Sequence, residues 1–102
     1  MKYFEVPFNP PEMPFEYTPE QAQAIYDFME LYFRKIDVMD VLQEEEKPYF
    51  STASDTEKDR ILTIMAEDTI DIISNYDCHW RDAIDTAIAD YEENLKGREQ
   101  IA

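Results

Sequence analysis

Glycine is almost absent: Gly97 is the only one in 102 residues. A chain so poor in glycine has no Gly-rich loop to cradle phosphates, and the EF-hand loop pattern is missing as well. Cysteine and histidine also occur once each, as the adjacent Cys78 and His79. A lone cysteine makes no internal disulfide, which suits a reducing compartment. Neighbouring residues on a helix point about 100° apart, so this Cys and His form neither a nucleophile–base pair nor a metal site. Cys78 therefore reads as a small residue near a helix start, and His79 as a surface or packing residue. No apolar run approaches the ~20 residues that cross a bilayer. No basic segment followed by an apolar one suggests a signal peptide. Cations are scarce too: 9 Lys and Arg stand against 24 Asp and Glu, a formal net charge of −15. That charge argues against direct contact with nucleic acid or an anionic membrane. The expectation is a cytoplasmic protein with no cofactor, no metal and no catalytic residue.

What is present argues for a folded chain. Hydrophobic residues make up 44% and aromatics 14%, too much for global disorder and enough for one modest core. The clearest element runs from Asp77 to Gly97, DCHWRDAIDTAIADYEENLKG. Trp80, Ala83, Ile84, Ala87, Ile88, Tyr91 and Leu95 recur at helical spacing, with acids on the other faces. Asp77 is the expected N-cap, and Gly97 the expected C-cap, with Lys96 and Arg98 at the negative end of the dipole.

Two further helices are predicted. Thr18-Pro19-Glu20-Gln21 has the form of a capping box with proline at the first helical position. Ala22, Ile25, Phe28, Met29, Tyr32, Phe33 and Ile36 follow on a broad apolar stripe. Beyond Asp37, the residues Val38, Val41 and Leu42 keep the spacing, either as a continuation or as a short second helix. Glu44, Glu45 and Glu46 fall at its end, where the dipole disfavours anions by ~0.3–1 kcal/mol. Lys47 to Ser54 reads as a loop. Ser54-Asp55-Thr56-Glu57 is a second capping box, opening a helix with Ile61, Leu62, Ile64, Met65, Ile70, Ile72 and Ile73. Its apolar arc is the widest, which marks it as the central helix.

The fold class is therefore all-α: a compact bundle of three to four helices over residues 18–102, carrying an extended arm rich in proline and aromatics over residues 1–17. Pro7, Pro10, Pro11 and Pro14 exclude a helix from the arm. Tyr3, Phe4, Phe8, Phe15 and Tyr17 suit a segment laid across the helices, or one that docks on a partner or a second copy. A short strand over Lys2 to Val6 would lack a second strand to pair with. Expected core residues are Ile25, Phe28, Met29, Phe33, Ile61, Met65, Ile72, Trp80, Ile84, Ile88 and Tyr91.

The acids carry the functional signal, because they are spread along every helix and not gathered in a tail. Carboxylates four residues apart on a helix are separated by about 6 Å of rise. That is comparable to the separation of successive phosphates on a nucleic-acid strand, in a duplex with one charge per ~1.7 Å of axis. Solubility alone needs a net charge of about 2–8 in magnitude. The acid-coated, aromatic-rich stretch from Asp68 to Leu95, DTIDIISNYDCHWRDAIDTAIADYEENL, resembles the small phage-encoded DNA-mimic proteins that block restriction or CRISPR enzymes. The resemblance implies a non-enzymatic inhibitor that occupies the DNA-binding groove of a basic protein.

The residues expected to make that contact are Glu67, Asp68, Asp71, Asp82, Asp85, Asp90, Glu92 and Glu93. An acidic interaction module or small subunit docking through the aromatic arm is the alternative, and a homodimer is open. A third reading uses Asp27 with Glu30 and Asp68 with Asp71 as two carboxylate pairs facing across the bundle. Such pairs hold Mg²⁺ in all-helical nucleotide pyrophosphatases, but no Lys/Arg cluster accompanies them for a triphosphate.

Overall fold

The computed structural model describes residues 4–11 and 16–101, with side chains as far as Lys96. Four helices follow in order: α1 (Pro19–Glu44), α2 (Pro48–Ser51), α3 (Asp55–Asn75) and α4 (Trp80–Ile101). No strand occurs among the described residues. The chain is an all-α bundle, and among the described residues no helix is long and apolar enough to cross a membrane.

α3 is the central helix, packed against α1, α2 and α4. Its Ile61, Leu62, Met65, Ala66 and Thr69 are buried, an arc broad enough to serve neighbours on two sides. Val38, Val41 and Leu42 meet this arc from α1, Phe50 from α2, and Ile84 and Ile88 from α4. Each large side chain removed from water here contributes roughly 1.5–3 kcal/mol. The one buried hydroxyl in this set, on Thr69, donates to the Met65 carbonyl at 2.7 Å, so it costs no unmet hydrogen bond.

The helix ends explain the order of the elements. Thr18 Oγ1 accepts from Gln21 N–H at 3.1 Å, and Gln21 Oε1 accepts from Thr18 N–H at 2.9 Å. The predicted capping box is therefore formed. α1 then continues unbroken through Asp37, because burial of Val38, Val41 and Leu42 holds its second half on the core. It closes with Lys47 N–H on Leu42 O at 3.1 Å and Glu46 N–H on Gln43 O at 3.2 Å. This is a Schellman ending with Glu46, at φ 53°, in the left-handed position that glycine fills most easily.

Pro48 to Ser51, expected as loop, is a one-turn helix. Proline suits its first position, Phe50 is buried in the core, and Thr52 Oγ1 donates back to Pro48 O at 2.7 Å. At the start of α3, Ser54 Oγ accepts from Glu57 N–H at 3.2 Å, while the Glu57 carboxylate takes the Arg60 guanidinium at 2.7 Å.

Both expected ends of the last helix need correction. α4 begins at Trp80, and Asp77 lies outside it. Cys78 N–H turns back to Tyr76 O at 3.0 Å, and His79 supplies the cap, its Nδ1 accepting from Arg81 N–H at 3.2 Å. Gly97 is a helical residue, since α4 continues to Ile101 and no described glycine takes a positive φ.

The arm packs on its own chain where it is described. Val6 is buried, Phe4 meets Phe50 edge-on at 6.4 Å, and Phe8 lies 4.9 Å from Tyr32 and 5.5 Å from Phe28 between ring centres. Residues 4–6 are not a strand; Lys2, Tyr3, Pro14 and Phe15 lie outside the described residues. The expected core also needs correction in two places. Phe33 and Trp80 are 53% and 42% exposed, and Ile25, Phe28, Met29, Ile72 and Tyr91 are only half-buried. The cause in α1 is that its buried residues begin at Lys35, so its first half extends past the core.

Candidate partner-binding face

α3 and α4 lie side by side, and the seam between them gathers part of the acid. Ile64 and Asp68 from α3, and Ala87, Asp90, Tyr91, Glu93 and Asn94 from α4, line an open groove of about 420 Å³. Three of the eight expected contact residues, Asp68, Asp90 and Glu93, therefore share one depression. Helical spacing on each element explains this: Ile64 and Asp68 are i, i+4 on α3, and Ala87, Asp90, Tyr91 and Asn94 are i, i+3, i+4, i+7 on α4.

The groove is electrostatically crowded. The carboxyl of Asp68 is pushed above the ordinary carboxylate range, first by partial burial, then by the Asp90 charge, a hydrogen bond shared with Asp90, and the Asp71 charge. Asp71 is exposed one turn along from Asp68, its Oδ1 accepting from Asn75 Nδ2 at 3.2 Å. Glu67 and Asp82 are exposed on the same two helices. Among the described residues, Glu67, Asp68, Asp71, Asp82, Asp90 and Glu93 form no ion pair with a cation.

Asp85 and Glu92 are placed differently. They lie on another flank of α4, where two cations, Lys47 and Arg81, are engaged. Lys47 Nζ donates to Glu92 at 2.7 Å and lies 3.7 Å from Glu45. Arg81 reaches Asp85 and Glu44, each at 3.5 Å. These contacts tie the α1–α2 corner to α4. The hydrogen bond to Glu92 is the main cause that raises the Lys47 ammonium above its usual range. Beside them, the Tyr49 hydroxyl is buried without a partner, and burial first, then the Glu92 charge, raises its ionisation well above the usual phenol value.

Two features away from the α3–α4 groove were not legible from spacing. Lys35 is buried on α1, with Nζ 2.6 Å from Asp59 Oδ1 on α3, an ion pair without hydrogen-bond alignment. Lys58 Nζ sits 5.8 Å from the ring centres of both Phe4 and Phe50, a cation–π contact that pins the arm. Both depend on which helices become neighbours, for which a single helix pattern carries no signal.

No group of three or more His, Cys, Asp or Glu side chains is arranged to hold a metal ion among the described residues. Asp27 accepts from Gln23 on the far part of α1, and so does not join Asp68 and Asp71. The arrangement is thus a surface that presents negative charge. No family model matches the chain, no curated protein resembles it, and no solved structure matches its fold.

Proposed function

We propose that this protein is a non-enzymatic acidic inhibitor that occupies the DNA-binding groove of a basic partner by presenting phosphate-like carboxylates. The observation that carries this reading is the unpaired acid of the α3–α4 face. Asp68 is held against Asp90 with Asp71 and Glu93 nearby, while Lys47 and Arg81 are engaged by Glu92, Asp85 and Glu44. Like charges crowded on a rigid face cost stability, and a cationic partner that relieves the crowding gains what the fold loses. From Asp82 to Glu93 the α4 axis rises about 16 Å, comparable to several phosphate steps at 3.4 Å per strand.

Of the eight sequence-selected acids, the six without an ion pair are the stronger contact set. Asp85 and Glu92 already have partners within the chain, so a second cation gains less from them.

The test captures partners from a cell lysate on immobilised protein, elutes them with salt and challenges the complex with duplex DNA. Release of a DNA-binding protein by duplex is expected. Combining Asp68→Asn, Asp71→Asn, Asp90→Asn and Glu93→Gln should reduce capture while leaving helicity intact. A partner indifferent to duplex, or capture unchanged in the fourfold variant, would overturn the reading. The exposed Phe8 and Tyr17, at 51% and 52%, favour the second reading, an interaction module that docks through its aromatic arm. Removing residues 1–17 abolishes binding only in that case, provided the bundle still folds.

A further inference from the structure

The first half of α1 is a helix without a core. From Pro19 to Arg34 it is about 24 Å long at 1.5 Å per residue, and none of its residues is buried. A helix of this length draws most of its stability from tertiary packing of an apolar face. Part of that packing comes from Phe8 of the arm against Phe28 and Tyr32. Among the described residues the adjoining stripe is covered only at its end, where Ile36 packs against the core. Ala22, Ile25, Tyr26, Met29, Phe33 and Ile36 fall within about 100° of arc at 100° per residue. Tyr26 is 64% and Phe33 53% exposed, Ala22 is exposed, and Ile25, Met29 and Ile36 are half-buried. No carboxylate or cation falls in that arc between Pro19 and Ile36, although the chain carries 24 acids.

We propose that this stripe is a homodimer interface, in which two copies pair their α1 helices antiparallel about a two-fold axis near Met29. In that register Ile25 meets Phe33 of the second copy, and Ala22 meets Ile36, so a small residue opposes a large one at each end. The contact is isologous and closes on itself. Charge selects the occupant. At a net −15, two copies approaching through the α3–α4 face would press carboxylates together, whereas the α1 stripe meets its copy with carbon. A basic partner gains nothing from a stripe without acids, and an anionic lipid surface is repelled by the rest of the chain.

Area sets the strength. An aromatic side chain buries about 150–250 Å², so Tyr26 and Phe33 each leave roughly 100 Å² to cover. With the aliphatic residues between them the stripe offers roughly 400–500 Å² per copy, about 800–1,000 Å² for the pair, below the standard range of specific interfaces. The dimer is therefore weak and reversible. This pairing leaves the acidic α3–α4 face free and does not depend on the function proposed for it.

Sedimentation equilibrium of the full chain over roughly 1–500 µM tests this, at low and at high salt. The expected mass rises from 12.1 kDa toward twice that, and the rise is steeper at high salt, where repulsion between the copies is screened. Phe33→Glu is expected to weaken association at least about tenfold with unchanged helicity. Ser74→Glu, which adds the same charge at an exposed position on α3, should weaken it far less. Met29→Cys in a Cys78→Ser background should form a disulfide-linked dimer on mild oxidation, and Ser74→Cys in that background should not. A constant 12.1 kDa at both salt levels overturns the proposal and leaves the stripe to a different protein. Equal effects of Phe33→Glu and Ser74→Glu, or equal crosslinking of the two cysteine variants, overturn it as well.

Discussion

Asp68→Asn separates the stability of the fold from the charge of the candidate face. Asp68 holds its proton to higher pH in the folded chain than in the unfolded one, through partial burial and the neighbouring Asp90 and Asp71 charges. Between the unfolded value near 3.9 and the raised folded value, the native state binds more protons than the unfolded state. Stability therefore falls as pH rises through that window. The favourable contribution of protonated Asp68 is fully present below the unfolded value and is lost above the folded one. Above the folded value Asp68 carries its charge beside that of Asp90. Two like charges about 4 Å apart cost between about 1 kcal/mol in water and about 4 kcal/mol at an effective dielectric of 20. Solvent at this half-open groove puts the cost near the lower limit, about 1 kcal/mol. An amide in place of the carboxyl removes the repulsion and donates to Asp90. The midpoint of thermal unfolding at pH 7 should rise by about 4–8 °C. Near pH 3, where the wild-type group carries its proton, the difference should vanish. Circular dichroism melts at both pH values read this directly. An unchanged or lower midpoint at pH 7, or the same increment at both pH values, would refute the crowding of Asp68 and Asp90.

Two other substitutions probe the scaffold beneath that face. Leu62 is fully buried on the central helix, so Leu62→Ala should destabilise by about 2–5 kcal/mol, depending on how far the cavity collapses; urea unfolding measures it, and a loss below about 1 kcal/mol would contradict the placement of α3. Glu46 occupies a left-handed position at φ 53° beside the negative end of α1. Glu46→Gly should therefore stabilise by about 0.5–1 kcal/mol, relief of the left-handed strain and of the dipole clash outweighing the entropy cost of glycine; a lower urea midpoint would show that Glu46 makes a compensating contact.

Much of this fold was legible because period reports a face. The wide arc of α3 announced its central position, since a helix that must satisfy two neighbours needs apolar residues over more of its circumference. The Thr18 capping box was legible for a similar reason: all of its donors and acceptors lie within four residues. What failed depended on neighbours. Phe33 and Trp80 have the right spacing for core residues, but spacing does not reveal where the next helix ends. The α4 start was misread because Asp77 and His79 both offer an acceptor, and the choice between them turns on the path out of α3. Gly97 satisfied the local chemistry of a stop, yet helix continued through it to Ile101.

The candidate site shows the same limit more sharply. Sequence spacing marks Asp85, Asp90, Glu92 and Glu93 alike as polar-face acids of one helix. Their electrostatic situations differ because α4 has different neighbours on its two flanks. Toward the α1–α2 corner it meets Lys47, which engages Glu92, and the Arg81 beside Asp85 spans to Glu44. Toward α3 it meets Asp68, while the Arg60 further along that seam is already held by Glu57 of its own helix. Cations placed on one flank lock the corner of the fold, and on the other Asp68, Asp90 and Glu93 have no ion pair among the described residues. A chain with a uniform excess of acid thus acquires a polarity that its composition does not contain, and any basic partner drawn by the net charge should bind most strongly where the fold has left that charge unneutralised.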